Sequence, residues 1–333
     1  MLRRFWKKSG TDQSGENDLR AGRPLRLVLH VGPHKTGTTS LQSALLHAYG
    51  AEKPQRIWYP APTEFGPGHA AISWAVLGRN GFTEQPVLRH RIEEALQSRC
   101  QILILSSEGF AHAYPDHFAI LAEQTSNIDT HILITLSPIG HRAVSVWQER
   151  VKTGRRTSLD DTEQYLDSAG LAPDLTACLA RSFPNAKISI IIGDRESPAD
   201  LYAFFSRATG IPSEIPRSLQ ELAMNRGLGV VEIEILRGLN IARVSANLTN
   251  QQYRRARGLL RKLFDSDKWR STTPSVPLEP PKKWITSLKK RCAETMQQLR
   301  DLESQHRVEI LGKIESLDDV TGAGSALRLE DTE

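Results

Sequence analysis

Apolar positions along the chain fall into short dense runs separated by longer stretches with a helical period. Leu25, Leu27, Val28, Leu29 and Val31 form the first run, and Ile102–Leu105, His131–Leu136 and Lys187–Ile192 repeat its character. Runs this short and this apolar predict strands covered on both faces, as in a parallel sheet. Between and after them the spacing predicts helices over Thr38–Tyr49, His69–Leu77, Val87–Arg99, His117–Thr125, Gly140–Lys152, Leu159–Asp167, Asp174–Arg181 and Pro198–Thr209. Ser197 and Pro198 are a suitable N-cap and first position for the last of these, and Gly210 a suitable stop. The alternation predicts an α/β core over residues 25–212 in three layers, a central parallel sheet flanked by helices. Past residue 212 strand-like runs disappear. Helices over Val230–Leu239, Thr249–Phe264 and Lys283–Glu309 are expected to lie over the same sheet as a helical C-terminal part spanning 213–320, with a proline-rich connector at Ser271–Pro281. Residues 1–24 and 321–333 read as a basic, polar tail and a flexible tail. No internal repeat of fixed period is present.

The junction of the first strand and first helix carries the strongest chemistry. Gly32, Pro33, His34, Lys35, Thr36 and Gly37 form a short glycine-bounded loop, and the helix begins at Thr38 or Thr39. Backbone N–H groups of such a loop and the positive end of the helix dipole converge on one point, which suits a phosphate. Lys35 adds a full charge there, and Thr36, Thr38 and Thr39 add hydroxyls.

A Walker A loop places its lysine directly after the second glycine. Here Lys35 precedes Gly37 by two positions, in the order Gly32-x-x-Lys35-Thr36-Gly37-Thr38-Thr39. That order resembles the 5′-phosphosulfate loop of the sulfotransferases that use 3′-phosphoadenylyl sulfate (PAPS), and HVGPHKTGTTSLQ is close to the wording of bacterial members. The resemblance implies a P-loop NTPase-like sulfotransferase architecture, with PAPS as co-substrate and the 3′,5′-bisphosphate as product.

Ile132–Glu149 is the second constellation, a strand that enters a helix. In the resembled family a strand-end arginine and a serine eight positions later hold the nucleotide 3′-phosphate. Ser145 falls on that serine and Arg142 on an intermediate arginine, but Ser137 stands where the strand-end arginine is expected. A guanidinium grips phosphate with two parallel hydrogen bonds, and serine offers one neutral hydroxyl. Arg142, Arg155 or Arg156 could replace it, or nucleotide affinity is weaker; Arg142 equally suits a helix-surface ion pair. Trp147, Gln148 and Glu149 match the wording of a bacterial subgroup, although Trp147 also has the spacing of a core residue. Asn225-Arg226-Gly227-Leu228, Glu232 and Leu236–Asn240 resemble a segment of the same subgroup, and Ile190–Ile211 resembles the fourth strand and following helix of the fold. The resemblance thus spans Leu25 to Asn240.

Composition narrows the alternatives. At 333 residues with 39% apolar content the chain can bury a substantial core, and no apolar run is long enough to cross a membrane. The start, MLRRFWKKSG, lacks the apolar stretch of a secretory signal, so a cytoplasmic protein is expected. Phe5 and Trp6 among Arg3, Arg4, Lys7 and Lys8 suit weak contact with an anionic membrane or a solvated tail. Cys100, Cys178 and Cys292 are far apart, and the ten histidines show no metal-binding spacing, so neither disulfides nor a metal is expected. The formal charge of +5 fits an enzyme with anionic ligands, and nucleic acid is not expected as a partner. Two basic clusters, Arg254, Arg255, Arg257, Arg261 and Lys262, then Lys282, Lys283, Lys289, Lys290 and Arg291, suit either an anionic ligand or solvated helix faces.

Sulfuryl transfer needs charge stabilisation on the leaving phosphate, an aligned acceptor and a base. Lys35 is assigned the first task by the resemblance and by its charge, with Gly32, Pro33, His34, Thr36, Gly37, Thr38 and Thr39 around the 5′-phosphate. Glu108 ends the strand QILILSS and resembles the candidate base of some glycan-type sulfotransferases; His34 and His69 are further candidates for base or acceptor ligand. The acceptor is expected to be a hydroxyl or amino group of a carbohydrate or small metabolite. Two other functions fit less of the pattern: a binding or scaffold protein that has lost turnover, and an ATP-dependent kinase.

Overall fold

The computed structural model describes residues 24–61, 66–78, 86–160, 172–193, 198–212, 228–273, 280–305, 308–312 and 317. Its seven strands are β1 (Arg26–Val31), β2 (Gly50–Ala51), β3 (Ile57–Pro60), β4 (Ile102–Ser107), β5 (Asp129–Leu136), β6 (Lys187–Ile192) and β7 (Glu309–Leu311). They form one sheet in the order β2-β3-β4-β1-β5-β6-β7, and every pairing is parallel. Helices α1 (Thr38–Tyr49), α2 (Ala70–Val76), α3 (Pro86–Leu96), α4 (Pro115–Gln124), α5 (Ile139–Lys152), α6 (Ala172–Ser182) and α7 (Pro198–Thr209) precede the C-terminal helices. Those are α8 (Val230–Ser245), α9 (Asn250–Phe264), α10 (Asp267–Thr272) and α11 (Ile285–Ser304).

Successive strand residues face opposite ways, so the apolar runs fill two cores at once. Val28, Ile104, Leu133 and Ile191 pack with Leu41 and Leu45 of α1 and with Leu201 and Phe205 of α7. Their neighbours Leu27, Leu29, Ile132, Ile134 and Ile190 point to the other face, against Ile72 of α2, Ile92 of α3, Phe118 of α4, Leu179 of α6 and Leu299 of α11. This is the expected three-layer α/β arrangement. Trp147 and Val151 of α5 are fully buried against Ile233 and Leu236 of α8, so Trp147 is a core residue. Asn240 of α8 donates to the carbonyls of Val151 at 2.7 Å and Arg155 at 2.8 Å, closing the C-terminal end of α5.

The chain leaves β1 toward β4 on one side and then crosses to β5 on the other. The carboxyl ends of β4, β1 and β5 therefore surround a topological switch point, the place where such sheets bind ligands. Three expected site segments emerge there together: Gly32–Gly37 after β1, Glu108 after β4 and Ser137 after β5.

Two expectations of the sequence are corrected. Residues past 212 do include a strand, because Glu309–Leu311 pairs with Ser189–Ile191 at the edge of the sheet, and the helix expected to reach Glu309 ends at Ser304. The short strands β2 and β3 and a 3₁₀ turn at Glu108–His112 lacked the run length that periodicity can detect. Residues 161–167 of the helix expected from Leu159, the Ser197 cap, Asn225–Gly227, residues 274–279 of the connector and both tails lie outside the described residues.

His30, His69 and His131 are buried within the strands and beside them, and desolvation pushes each imidazole down to about 4. The unfolded chain, with imidazoles near 6.5, takes up protons more readily throughout the intervening range. The stability these groups contribute is complete above pH 6.5 and drains away as pH falls toward 4. At pH 5 the loss is on the order of 2 kcal/mol per histidine. A urea midpoint clearly lower at pH 5 than at pH 7 is expected, and an unchanged midpoint would contradict the assignment.

Candidate functional site

Backbone geometry makes the Gly32–Gly37 loop possible. A Cβ on Gly32 would stand 2.6 Å from Thr135 Oγ1 and 2.9 Å from Thr38 Cγ2, so only glycine fits. Lys35 and Gly37 are both left-handed, with φ of 71° and 81°. Such residues turn successive N–H groups toward one side, as in an anion-binding nest. Gly37 is the N-cap of α1 and supplies no side-chain acceptor. The first-turn amides are thus not closed by a side-chain cap, and the helix dipole adds partial positive charge there.

A buried polar network supports the loop from below. Gln42 Nε2 donates to Ser106 Oγ at 3.0 Å, and Ser106 Oγ meets His30 Nδ1 at 2.7 Å. His30 Nε2 meets Thr135 Oγ1 at 3.2 Å, and that hydroxyl meets Thr36 Oγ1 at 2.9 Å. Thr36 Oγ1 also donates to the Pro33 carbonyl at 3.0 Å. The chain of contacts crosses β4, β1 and β5, so the floor of the loop is fixed to three strand ends. Arg142 Nε donates to the His34 carbonyl at 3.1 Å and Ser137 Oγ to the Lys35 carbonyl at 3.2 Å. Burial pushes the Arg142 guanidinium down to about 10.

Two carboxylates close on the loop from opposite sides. Glu108 bonds both the Thr38 hydroxyl and His34 Nδ1. Lys35 Nζ donates to Glu149 Oε2 at 2.8 Å, and Lys152 Nζ stands 3.9 Å from the same oxygen. Burial alone would raise the Glu149 carboxyl, but the hydrogen bond and charge of Lys35, with the charges of Lys152 and His34, outweigh it and hold it below the usual range. Lys152 is lowered, chiefly by burial and further by Lys35, against the pull of Glu149.

On the Glu108 side a cavity of about 350 Å³ opens, lined by His34, Thr39, Trp74, Glu108 and His112 among others. The rings of His34 and His112 lie 5.3 Å apart. Thr39 thus faces this cavity. Thr36 has its hydroxyl engaged within the protein and offers a ligand only its backbone, and Thr38 presents its hydroxyl to Glu108. Pro33 is buried in the loop. Ser145 is half-buried on α5, one turn from both Arg142 and Glu149.

His69 has a different setting from the one expected. It is buried, its Nδ1 accepts from the Ser106 amide at 3.0 Å and its Nε2 meets the Pro60 carbonyl at 2.9 Å. Both ring nitrogens are committed to backbone, leaving none to take a substrate proton. Arg142 likewise braces the loop from within, while Arg155 and Arg156 are exposed beyond the end of α5. Sequence reasoning overlooked Gln42, His30, Ser106, Thr135 and His112. The available signal was a polar residue near the carboxyl end of each of three strands, where His30 registers with Ser106. Among the described residues no group of three or more His, Cys, Asp or Glu is placed to hold a metal, and no helix is long and apolar enough to cross a membrane.

Comparison with models of known protein families and with curated proteins finds no match. Among solved structures the chain is similar to a sulfotransferase from Alicyclobacillus acidocaldarius, at 17% identity over 70% of this chain and 100% of that one, with a TM-score of 0.38.

Proposed function

We propose that the protein transfers a sulfuryl group from PAPS to a hydroxyl or amino group of a carbohydrate or small metabolite. The observation that carries this reading is the placement of Glu108: its carboxylate is held on the loop that carries Lys35, by Thr38 and His34. A base and a leaving-group cation at one loop are what an in-line displacement requires.

The loop suits a phosphate by its glycine at position 32, its two left-handed residues and its uncapped helix start. When bound, PAPS supplies the activated sulfuryl group. The amides of residues 35–39 hold the 5′-phosphate, and Lys35, released from Glu149, neutralises the charge that develops on it. Glu108 accepts the proton of an acceptor seated in the cavity beside His34 and His112, and His34 orients that carboxylate. These roles are carried by residues of adjacent strand ends, so little motion is needed to assemble them.

One observation favours a second reading, a binding or scaffold protein that has lost turnover. Ser137 stands where an arginine is expected, and its hydroxyl is turned to the Lys35 carbonyl. Calorimetric titration with adenosine 3′,5′-bisphosphate, AMP and ATP tests both. Micromolar binding that prefers the bisphosphate supports the sulfotransferase. Absence of binding by folded protein overturns it in favour of the second reading, and preference for ATP overturns both in favour of a kinase.

A further inference from the structure

Helix α9 combines an unusual charge pattern with exposed leucines. In its 15 residues it carries Arg254, Arg255, Arg257, Arg261 and Lys262 and no acidic residue. Tyr253 and Phe264 are its buried contacts, whereas Leu259 is 60% and Leu263 44% exposed. At a spacing of four these leucines lie on one face, with Arg255 one turn before and Lys262 beside them. Arg257 is tied down, donating to the Lys152 carbonyl at 2.5 Å. Arg254, Arg255 and Lys262 are exposed and have no ion-pair partner among the described residues.

We infer that this face of α9 docks on an anionic lipid bilayer, with Leu259 and Leu263 entering the headgroup region and the cations meeting lipid phosphates. Charge complementarity selects this occupant. A second copy paired face to face would bring Arg255 and Lys262 against the same two cations, and nucleic acid would satisfy the cations but leave both leucines exposed. A cationic helix with an apolar stripe suits the bilayer interface, where both kinds of contact form together. The inference is independent of the sulfotransferase reading, since α9 lies outside the loop and its carboxylates. Leu259 and Leu263 carry it most directly, because neither packs in the core.

Co-sedimentation of the full chain with phosphatidylcholine vesicles containing about 30% phosphatidylserine, at physiological salt, tests this. Wild type should partition to these vesicles and not to pure phosphatidylcholine. Arg255→Glu with Lys262→Glu should weaken partitioning more than tenfold, and Leu259→Ser with Leu263→Ser several-fold. The thermal midpoint should stay near wild type in both, because all four side chains are exposed. Equal binding to neutral vesicles, no binding by wild type, or unchanged binding by both variants would each overturn the inference. So would a wild-type dimer that the leucine variant converts to a monomer, or binding of a nucleic-acid duplex in place of vesicles.

Discussion

Lys35→Ala should lower sulfuryl transfer by about a thousandfold or more while moving the thermal midpoint by no more than about 2 °C. The two effects separate because, in the proposed reaction, Lys35 acts on the chemistry and hardly on folding. Its backbone is left-handed at φ 71°, but alanine also carries a Cβ, so the conformational cost is the same in both proteins. Its partner Glu149 is nearly half exposed, and a pair of that kind contributes little to stability. Glu149 also retains Lys152 on the same oxygen after the change. What disappears is the one full positive charge in the loop, where the proposed reaction has a leaving phosphate gain negative charge. Hydrolysis of the sulfuryl donor by water should fall in parallel, since it uses the same leaving group and no acceptor pocket. Turnover that survived in Lys35→Ala would remove the residue from the mechanism.

The next largest effect is expected of Glu108→Gln, which should reduce transfer by about 10²- to 10⁴-fold without weakening binding of the 3′,5′-bisphosphate. Glutamine keeps the shape and can still accept from the Thr38 hydroxyl, so the loop should hold its position. It cannot take a proton from an acceptor. Removing a negative charge beside the phosphate loop should, if anything, tighten the nucleotide. Loss of bisphosphate affinity together with transfer would make Glu108 a structural support for the loop; undiminished transfer would place the base elsewhere, with His34 next in line.

The parts of the molecule legible from its residues are those where one segment encodes one outcome. LRLVLHV is too apolar for anything but a buried strand, and Gly32 to Thr39 sets a turn and a helix start within eight positions. Strand β6 and helices α1 and α7 have the bounds that pattern alone predicts. Legibility ends where the outcome depends on partners distant in sequence. Glu309 reads as the end of a long polar helix, yet it pairs in the sheet with Ser189. Gly50–Ala51 is too short to show a period, and its place is set by β3. In the candidate site, Lys35 and Glu108 stood out by type and position, whereas the pairing of Lys35 with Glu149, 114 residues away, did not. His69 misled because a histidine opening a helix after a turn looks accessible, and only the packing of α2 under the β4 end buries it. Arg142 has a spacing that suits a phosphate contact, and the bond from its Nε to the His34 carbonyl is one that no spacing reveals.

Strand β7 has a consequence for how the chain is made. Its ladder with β6 is reinforced by Glu309, which pairs with Lys187 at 2.8 Å and accepts from Ser189 Oγ at 3.0 Å. Those partners are synthesised some 120 residues earlier. At about 5–20 residues per second the edge of β6 stays uncovered on the ribosome for roughly 6 to 24 seconds. Through that interval a run of four isoleucines and a serine, Ile188–Ile192, borders an open row of backbone donors and acceptors, the kind of edge that recruits strands from other chains. Lys187 at its start is then a charged guard as well as an ion-pair partner, and nascent chains stalled between β6 and β7 should be the species most dependent on chaperones.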